Sequence, residues 1–297
     1  FILELFTPGF TSYKKRIQYQ TYDVTSMLQK ENTIGAMVGD GWYRGYLGWD
    51  GGKAYYGDQL ALLAQLQINY TDSTSETIVT DKNWKVSYGA ILESDIYNGE
   101  KYDARKEMDG WAKTGFDERL WQDVEILNHS KEMLVASNGL PVRAIEEISP
   151  IEILTTPKGE LVLDLGQNMV GYVRMKVEGE KGDEVKLQFA EVLDKDGNFY
   201  TTNLRAAEAT DIYTLKGGGE EVYEPYFTFH GFRFVKLEGY PGEITKDKIT
   251  GVVIHSDMKP TGNFSCSDPL INQLQKNIQW GQRDNFLDIP TDCPQRD

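Results

Sequence analysis

Strand signals dominate the pattern of apolar and polar positions along the chain. In RIQYQTYDV (16–24), Ile17, Tyr19 and Thr21 fall on one face and Gln18, Gln20 and Tyr22 on the other, a period of two. NTIGAMVGD (32–40) reads as a buried strand, and LALLAQLQINY (60–70) ends in strict alternation at Leu66, Ile68 and Tyr70. Between them, GDGWYRGYLGWDGGKAYYGD (39–58) is rich in glycine and aromatics, which suits an ordered, exposed loop. DKNWKVSYGAILESDIYNGEKYDAR (81–105) adds a short strand and a loop, and WQDVEIL (121–127) closes the set. Short antiparallel strands with long loops predict a β-sandwich.

A polar connector, NHSKEMLVASNGLPV (128–142), marks the first boundary. A second series of strands follows in GELVLDLG, GYVRMKVEG, DEVKLQFAEVL, DIYTLKGG and FHGFRFVKLEG. EGEKGDEV and LDKDGNFY carry Asp-Gly and Gly-Asp corners, so this too reads as an all-β unit. Near Pro260 the period changes. In SDPLINQLQKNIQWGQRDNF, Asp268 is placed as N-cap and Pro269 at the first helical position, where its missing N–H costs nothing. Leu270, Ile271, Leu274 and Ile278 then form one helical stripe, as though an all-α domain were beginning. The expected organisation is therefore two β units, 1–128 and 129–260, followed by a helical segment, 261–297.

At 297 residues, two domains are expected, and the 40% hydrophobic, 26% charged composition is globular. The net charge of −15 argues against nucleic acid and anionic membrane surfaces, which require clustered Lys and Arg. No run approaches the roughly 18 apolar residues that span a bilayer. Cys266 and Cys293 are the only cysteines, without His/Cys ligand spacing, so zinc is not expected. Two cysteines do not make a disulfide scaffold, which favours a cytoplasmic over a secreted setting. The sequence opens on Phe1, in mid-pattern, so the natural start is expected upstream.

Three stretches carry candidate chemistry. DIPTDCPQRD (288–297) supplies Asp288, Asp292, Asp297 and Arg296 in a loop stiffened by Pro290 and Pro294, able to exchange hydrogen bonds with vicinal hydroxyls. Its bland reading is a helix-terminating loop with solvated charges. GDGWYRGYLGWDGG offers Asp40, Trp42, Tyr43, Arg44 and Trp49, aromatic faces beside acids, as either a sugar platform or a packing plug. SDIYNGEKYDAR has Asp95, Asn98, Glu100 and Asp103, oxygen ligands of the kind Ca²⁺ takes, without a regular calcium-loop spacing; a polar surface loop is the competing reading. If the two loops form a sugar site, Trp42 is the stacking face, Asp40 and Asn98 are the hydroxyl partners, and calcium is an organiser; otherwise they pack on a neighbouring domain. Both versions place the loops side by side at one end of the first unit. DKDGN (194–198) reads as a hairpin turn, and His129, His230 and His255 have no ligand spacing.

TPGFTSYKKRIQYQTYDVT, GDGWYRGYLGW, SDIYNGEKYDAR, LDLGQNMVGYVRMKV, FAEVLDKDGNFYTTNLRAAEATDIYTLKG and DIPTDCPQRD together resemble the bacterial α-L-rhamnosidases, in that family's order and over nearly the whole chain. The resemblance implies a galactose-binding-like (jelly-roll) β-sandwich over 1–128, a second β-sandwich over 129–260, and the truncated first part of a catalytic (α/α)6 barrel over 261–297. It implies that Asp292, Arg296 and Asp297 grip the rhamnose of rhamnose-containing glycosides or polysaccharides. It places the general acid, a glutamate, immediately after Asp297 and the base far downstream, so the chain alone is expected to be inactive. The mechanism implied is inversion, with two carboxyls about 6.5–9.5 Å apart. Asp292 and Asp297 would keep the acid protonated by like-charge repulsion. The competing functions are a non-catalytic module that binds rhamnose, with calcium in some relatives, and a purely structural scaffold.

Overall fold

The computed structural model describes residues 4–48 and 52–296. The chain is mainly β with few helices. Among the described residues the largest assembly is a ten-stranded sheet. Its central path runs Val142–Ile148, Ile249–Ser256, Leu161–Glu178, His230–Glu238, Glu184–Ala190, Thr210–Thr214, Gly99–Asp103 and Ile91–Asp95. Neighbours along this path are antiparallel, except that Gly99–Asp103 runs parallel to Thr210–Thr214. A hairpin from the N-terminal side of residue 128 thus completes a sheet built otherwise from residues beyond it.

The 18-residue strand Leu161–Glu178 is long enough to serve several partners. Its register shifts between Asp164 and Met169, where Gly166 takes φ +76°. Its first part also pairs with Glu152–Thr155 and its last part with Glu220–Tyr223. Alternation along these strands feeds two cores. One gathers Leu163, Met175, Leu187, Phe189, Phe232 and Val235. The other joins Trp42 from the N-terminal region, Ile96 from the hairpin, Val170 and Val252 from the sheet, and Leu287 from the C-terminal segment. This second core ties all three parts of the chain together.

The helix expected after Pro260 spans Pro269–Asp284, and the Asp268 carboxylate caps it by accepting the Leu270 N–H at 2.8 Å. Its apolar stripe is exposed, with Leu270 at 78% and Leu274 at 57%. The buried strand expected over 32–40 does not form. Ile34, Met37 and Val38 are exposed, and no ladder among the described residues includes them. Within this run Gly35 lies against Trp111 and Gly39 against Phe227, contacts that hold the backbone by the rings of other segments instead of by strand pairing. Of 16–24 only Ile17–Tyr19 is a strand, paired in parallel with Leu134–Ala136. DKDGN is a turn, with Asp194 accepting the N–H groups of Asp196 and Asn198.

Candidate functional site

The segment after the helix is tied down at both ends. Phe286–Leu287 and Ile289–Pro290 form a two-residue ladder around Asp288, which takes φ +68°. The Asp288 N–H donates to Ser256 Oγ at 3.0 Å and its carboxylate accepts the Phe10 N–H at 2.8 Å. Asn and Asp tolerate this left-handed conformation better than most residues, because their short side chains bond locally. The Thr291 N–H then donates to the Asn285 carbonyl at 2.8 Å, which closes the turn.

Asp292 follows in an exposed position, with Cys293 Sγ 3.4 Å from its Oδ2. Pro294 is buried, and the Arg296 N–H closes a turn on the Cys293 carbonyl at 2.9 Å. Gln295 lies on Gly231, where a β-carbon would come within 3.0 Å of its Cβ and 3.2 Å of its main-chain N. The bare backbone at 231 therefore lets the loop settle on the sheet. Arg296 is half-buried; its Nη1 donates to the Asn203 carbonyl at 3.0 Å and its Nη2 to Cys293 Sγ at 3.2 Å. Asp292 and Arg296 thus share one stiff loop and are linked through Cys293. Asp297, the third residue assigned to this site, lies outside the described residues.

Two carboxylates are held on elements that adjoin this loop. Asp284, on the last helical turn, accepts the Val170 N–H at 3.2 Å. Burial pushes its carboxyl up to about 7, opposed by the Val170 N–H and reinforced by the charge of Glu191. Glu191 in turn accepts Asn168 Nδ2 at 3.1 Å and Asn203 Nδ2 at 3.3 Å. Asp284, Glu191, Asn203 and Gly231 were not singled out from the sequence. The only signal for Glu191 and Asn203 was their membership of one resembling stretch, 189–217.

The two N-terminal loops are adjacent, because the Tyr46 N–H donates to Asp95 Oδ2 at 2.8 Å. Their named residues face protein partners. The Trp42 indole is buried at 8% exposure, edge-on to Phe6 at 6.1 Å and tilted on Phe10 at 6.0 Å. Asp40 accepts Arg44 Nε at 2.6 Å, and Asn98 Oδ1 accepts the Glu208 N–H at 3.2 Å. Trp49 lies outside the described residues. Nor do the acids of 94–105 gather around one centre: that stretch is mostly a hairpin, and its carboxylates turn to different donors. Asp95 caps the Tyr97 and Asn98 N–H groups, Glu100 accepts from Tyr223 and Tyr226, and Asp103 pairs with Arg105. Among the described residues no group of three or more His, Cys, Asp or Glu side chains could hold a metal ion. No helix among them is long and apolar enough to cross a membrane.

Three family models match the chain in order: the alpha-L-rhamnosidase N-terminal domain over 3–146, the bacterial alpha-L-rhamnosidase concanavalin-like domain over 154–255, and the bacterial alpha-L-rhamnosidase six-hairpin glycosidase domain over 259–297. An alpha-L-rhamnosidase of Streptomyces avermitilis is 51% identical over 293 residues, which are 98% of this chain and 28% of that protein. The crystal structure of the Streptomyces avermitilis alpha-L-rhamnosidase complexed with L-rhamnose superposes with a TM-score of 0.94 at 47% identity, over 99% of this chain and 29% of that one. The native enzyme from Aspergillus terreus gives 0.93 at 42% identity, over 99% and 34%. The chain thus spans about a third or less of the relatives it matches.

Proposed function

The chain belongs to the bacterial α-L-rhamnosidase family, and from that premise we propose that it is part of a glycoside hydrolase that removes terminal α-L-rhamnose by an inverting acid/base mechanism. The observation that carries this reading is the loop 288–296. It falls within the stretch matched by the six-hairpin glycosidase model, and it holds Asp292 and Arg296 on one anchored turn. In this reading Asp292 accepts from, and Arg296 donates to, adjacent hydroxyls of the sugar, and Asp297 completes the grip. A guanidinium on a fixed loop loses little freedom when it binds, which is how a positioning group lowers the cost of orienting a substrate.

The division of labour along the chain belongs to the same proposal. In this reading the chain up to residue 260 is two β units, the first galactose-binding-like and lending the hairpin Ile91–Asp103 to the sheet of the second, and 261–297 begin an (α/α)6 barrel whose later residues supply the acid and the base. The exposed stripe of the helix Pro269–Asp284 and the match to only 28% of the Streptomyces protein support this view. Residues 1–297 alone should then bind or fold without turning substrate over. The test is hydrolysis of 4-nitrophenyl α-L-rhamnoside by the full-length protein and by this chain, with the anomer released followed by NMR. Turnover by the longer protein with release of the inverted sugar is expected. A full-length protein without activity on α-L-rhamnosides, or equal activity in the isolated chain, would overturn the proposal.

A further inference from the structure

The Arg296 guanidinium is held from outside its own loop. Its Nη1 reaches the main-chain carbonyl of Asn203 at 3.0 Å, on the short 3₁₀ turn Thr202–Leu204 between two sheet strands. That turn is fixed on three sides. Leu204 is buried at 2% exposure. Arg205, the next residue, takes φ +56°, a conformation that costs a non-glycine residue and persists only where the surroundings impose it. The Asn203 side chain donates Nδ2 to Glu191 Oε2 at 3.3 Å. Glu191 is itself clamped, because its other oxygen accepts Asn168 Nδ2 at 3.1 Å, at the register shift of the longest strand. One carboxylate therefore ties the turn to the sheet.

We propose that Asn203 and Glu191 are positioning residues for the candidate sugar site: the Glu191 carboxylate orients Asn203, whose carbonyl sets the plane of the Arg296 guanidinium. The inference rests on the rhamnoside reading of Arg296. Its physical basis is geometric. A guanidinium has five N–H donors in a rigid fork, so fixing one edge aims the others. The Asn203 carbonyl and Cys293 Sγ grip the two terminal nitrogens, Nη1 and Nη2. Asn203 Oδ1 is buried and has no hydrogen-bond partner among the described residues. The side chain thus acts through its amide donor, and its other end gains nothing.

The experiment uses the full-length protein containing this chain and measures KM and kcat on 4-nitrophenyl α-L-rhamnoside. Asn203→Asp sets a carboxylate against Glu191, and Asn203→Ala removes the donor without adding charge. Each is expected to raise KM about tenfold, the scale of a lost charge-assisted hydrogen bond, with kcat changed less than about threefold. Adding Glu191→Gln to Asn203→Asp returns an amide donor opposite the new carboxylate and should restore KM to within about threefold. A merely structural role would lower kcat through the folded fraction and leave KM alone, and that outcome overturns the proposal. So does a parental KM in Asn203→Ala, which decides the matter if Asn203→Asp does not fold, or a double variant that fails to restore KM where Asn203→Asp raises it. Arg296→Lys separates the two levels. If it leaves KM unchanged, the sugar-site reading falls and this inference with it. If it raises KM while the Asn203 variants do not, only the positioning role falls.

Discussion

The Asp288 carboxylate accepts the Phe10 N–H at 2.8 Å, so two stretches 278 residues apart close one junction. Gly9, at φ +94°, brings the backbone so near that a β-carbon there would lie 2.6 Å from Asp288 Oδ2. The N-terminal turn and the candidate site loop are therefore fitted to each other directly.

Asp288→Ala should lower stability by about 1–3 kcal/mol, the cost of leaving a partly buried N–H unpaired. Alanine also tolerates φ +68° poorly, whereas Asp288→Asn keeps an acceptor and the left-handed conformation, and should lose less. Thermal unfolding of the three proteins side by side gives the ranking; an alanine variant as stable as the parent would show the bond to be dispensable.

Glu100 makes stability depend on pH with an unusual sign. It is fully buried, and burial, together with the charge of Asp211, pushes its carboxyl from its ordinary 4.5 to about 8, against donors from Tyr226 and Tyr223. Between these values the folded state holds a proton that the unfolded state has released. Its contribution to stability is therefore greatest below about 4.5, declines as pH rises, and stops changing above about 8. The slope is at most about 1.4 kcal/mol per pH unit. Glu100→Gln removes the titration, so the variant should gain on the parent between pH 5 and pH 8 in denaturant titrations. Parallel pH profiles for the two proteins would refute this assignment.

The parts legible in the sequence are those governed by neighbours along the chain. Asp268 and Pro269 announce a helix start because capping is local, and the alternation in DEVKLQFA marks a strand whose buried positions are Val185, Leu187 and Phe189. The run 32–40 misleads because its apolar residues look like a buried strand, while nothing local reveals that no strand among the described residues pairs with it. Trp42 stays open in the sequence for a related reason: a Gly-aromatic loop has the same composition whether its indole meets a sugar or, as here, Phe6 and Phe10. At the candidate site, the stiff turn that carries Asp292 and Arg296 was legible from Pro290 and Pro294, and their part in gripping a sugar stays with the proposal. Asn203 was not, because its bond to Arg296 crosses 93 residues and uses a carbonyl that every residue possesses.

Gly231 tests whether the loop must rest on the sheet. A β-carbon at this position would meet Gln295 Cβ, N and Cα at 3.0, 3.2 and 3.4 Å, so Gly231→Ala asks the loop to move by tenths of an ångström and Gly231→Val by more. Displacement of a positioning group by about 1 Å can cost on the order of 100-fold in rate. In the full-length protein, kcat/KM on an aryl rhamnoside should fall in the order Gly, Ala, Val. Since Gln295 is one residue from Arg296, the loss in activity should exceed the loss expected from the change in melting temperature. Equal kcat/KM in all three would mean that the loop can lift without consequence.

Asp292 is the sharpest test of the site as a whole. It is exposed, and its hydrogen bond from Cys293 Sγ at 3.4 Å is not an ion pair, so among the described residues removing its charge breaks no salt bridge. Stability should therefore change by less than about 0.5 kcal/mol in Asp292→Asn, as for an ordinary surface substitution. If the carboxylate instead accepts sugar hydroxyls in a closed, desolvated cleft, the same change should weaken rhamnoside turnover in the full-length protein by roughly 2–4 kcal/mol. The combination of unchanged melting temperature and strongly reduced kcat/KM is the expected result. Unchanged kcat/KM would make Asp292 a solvated loop charge and remove it from the site.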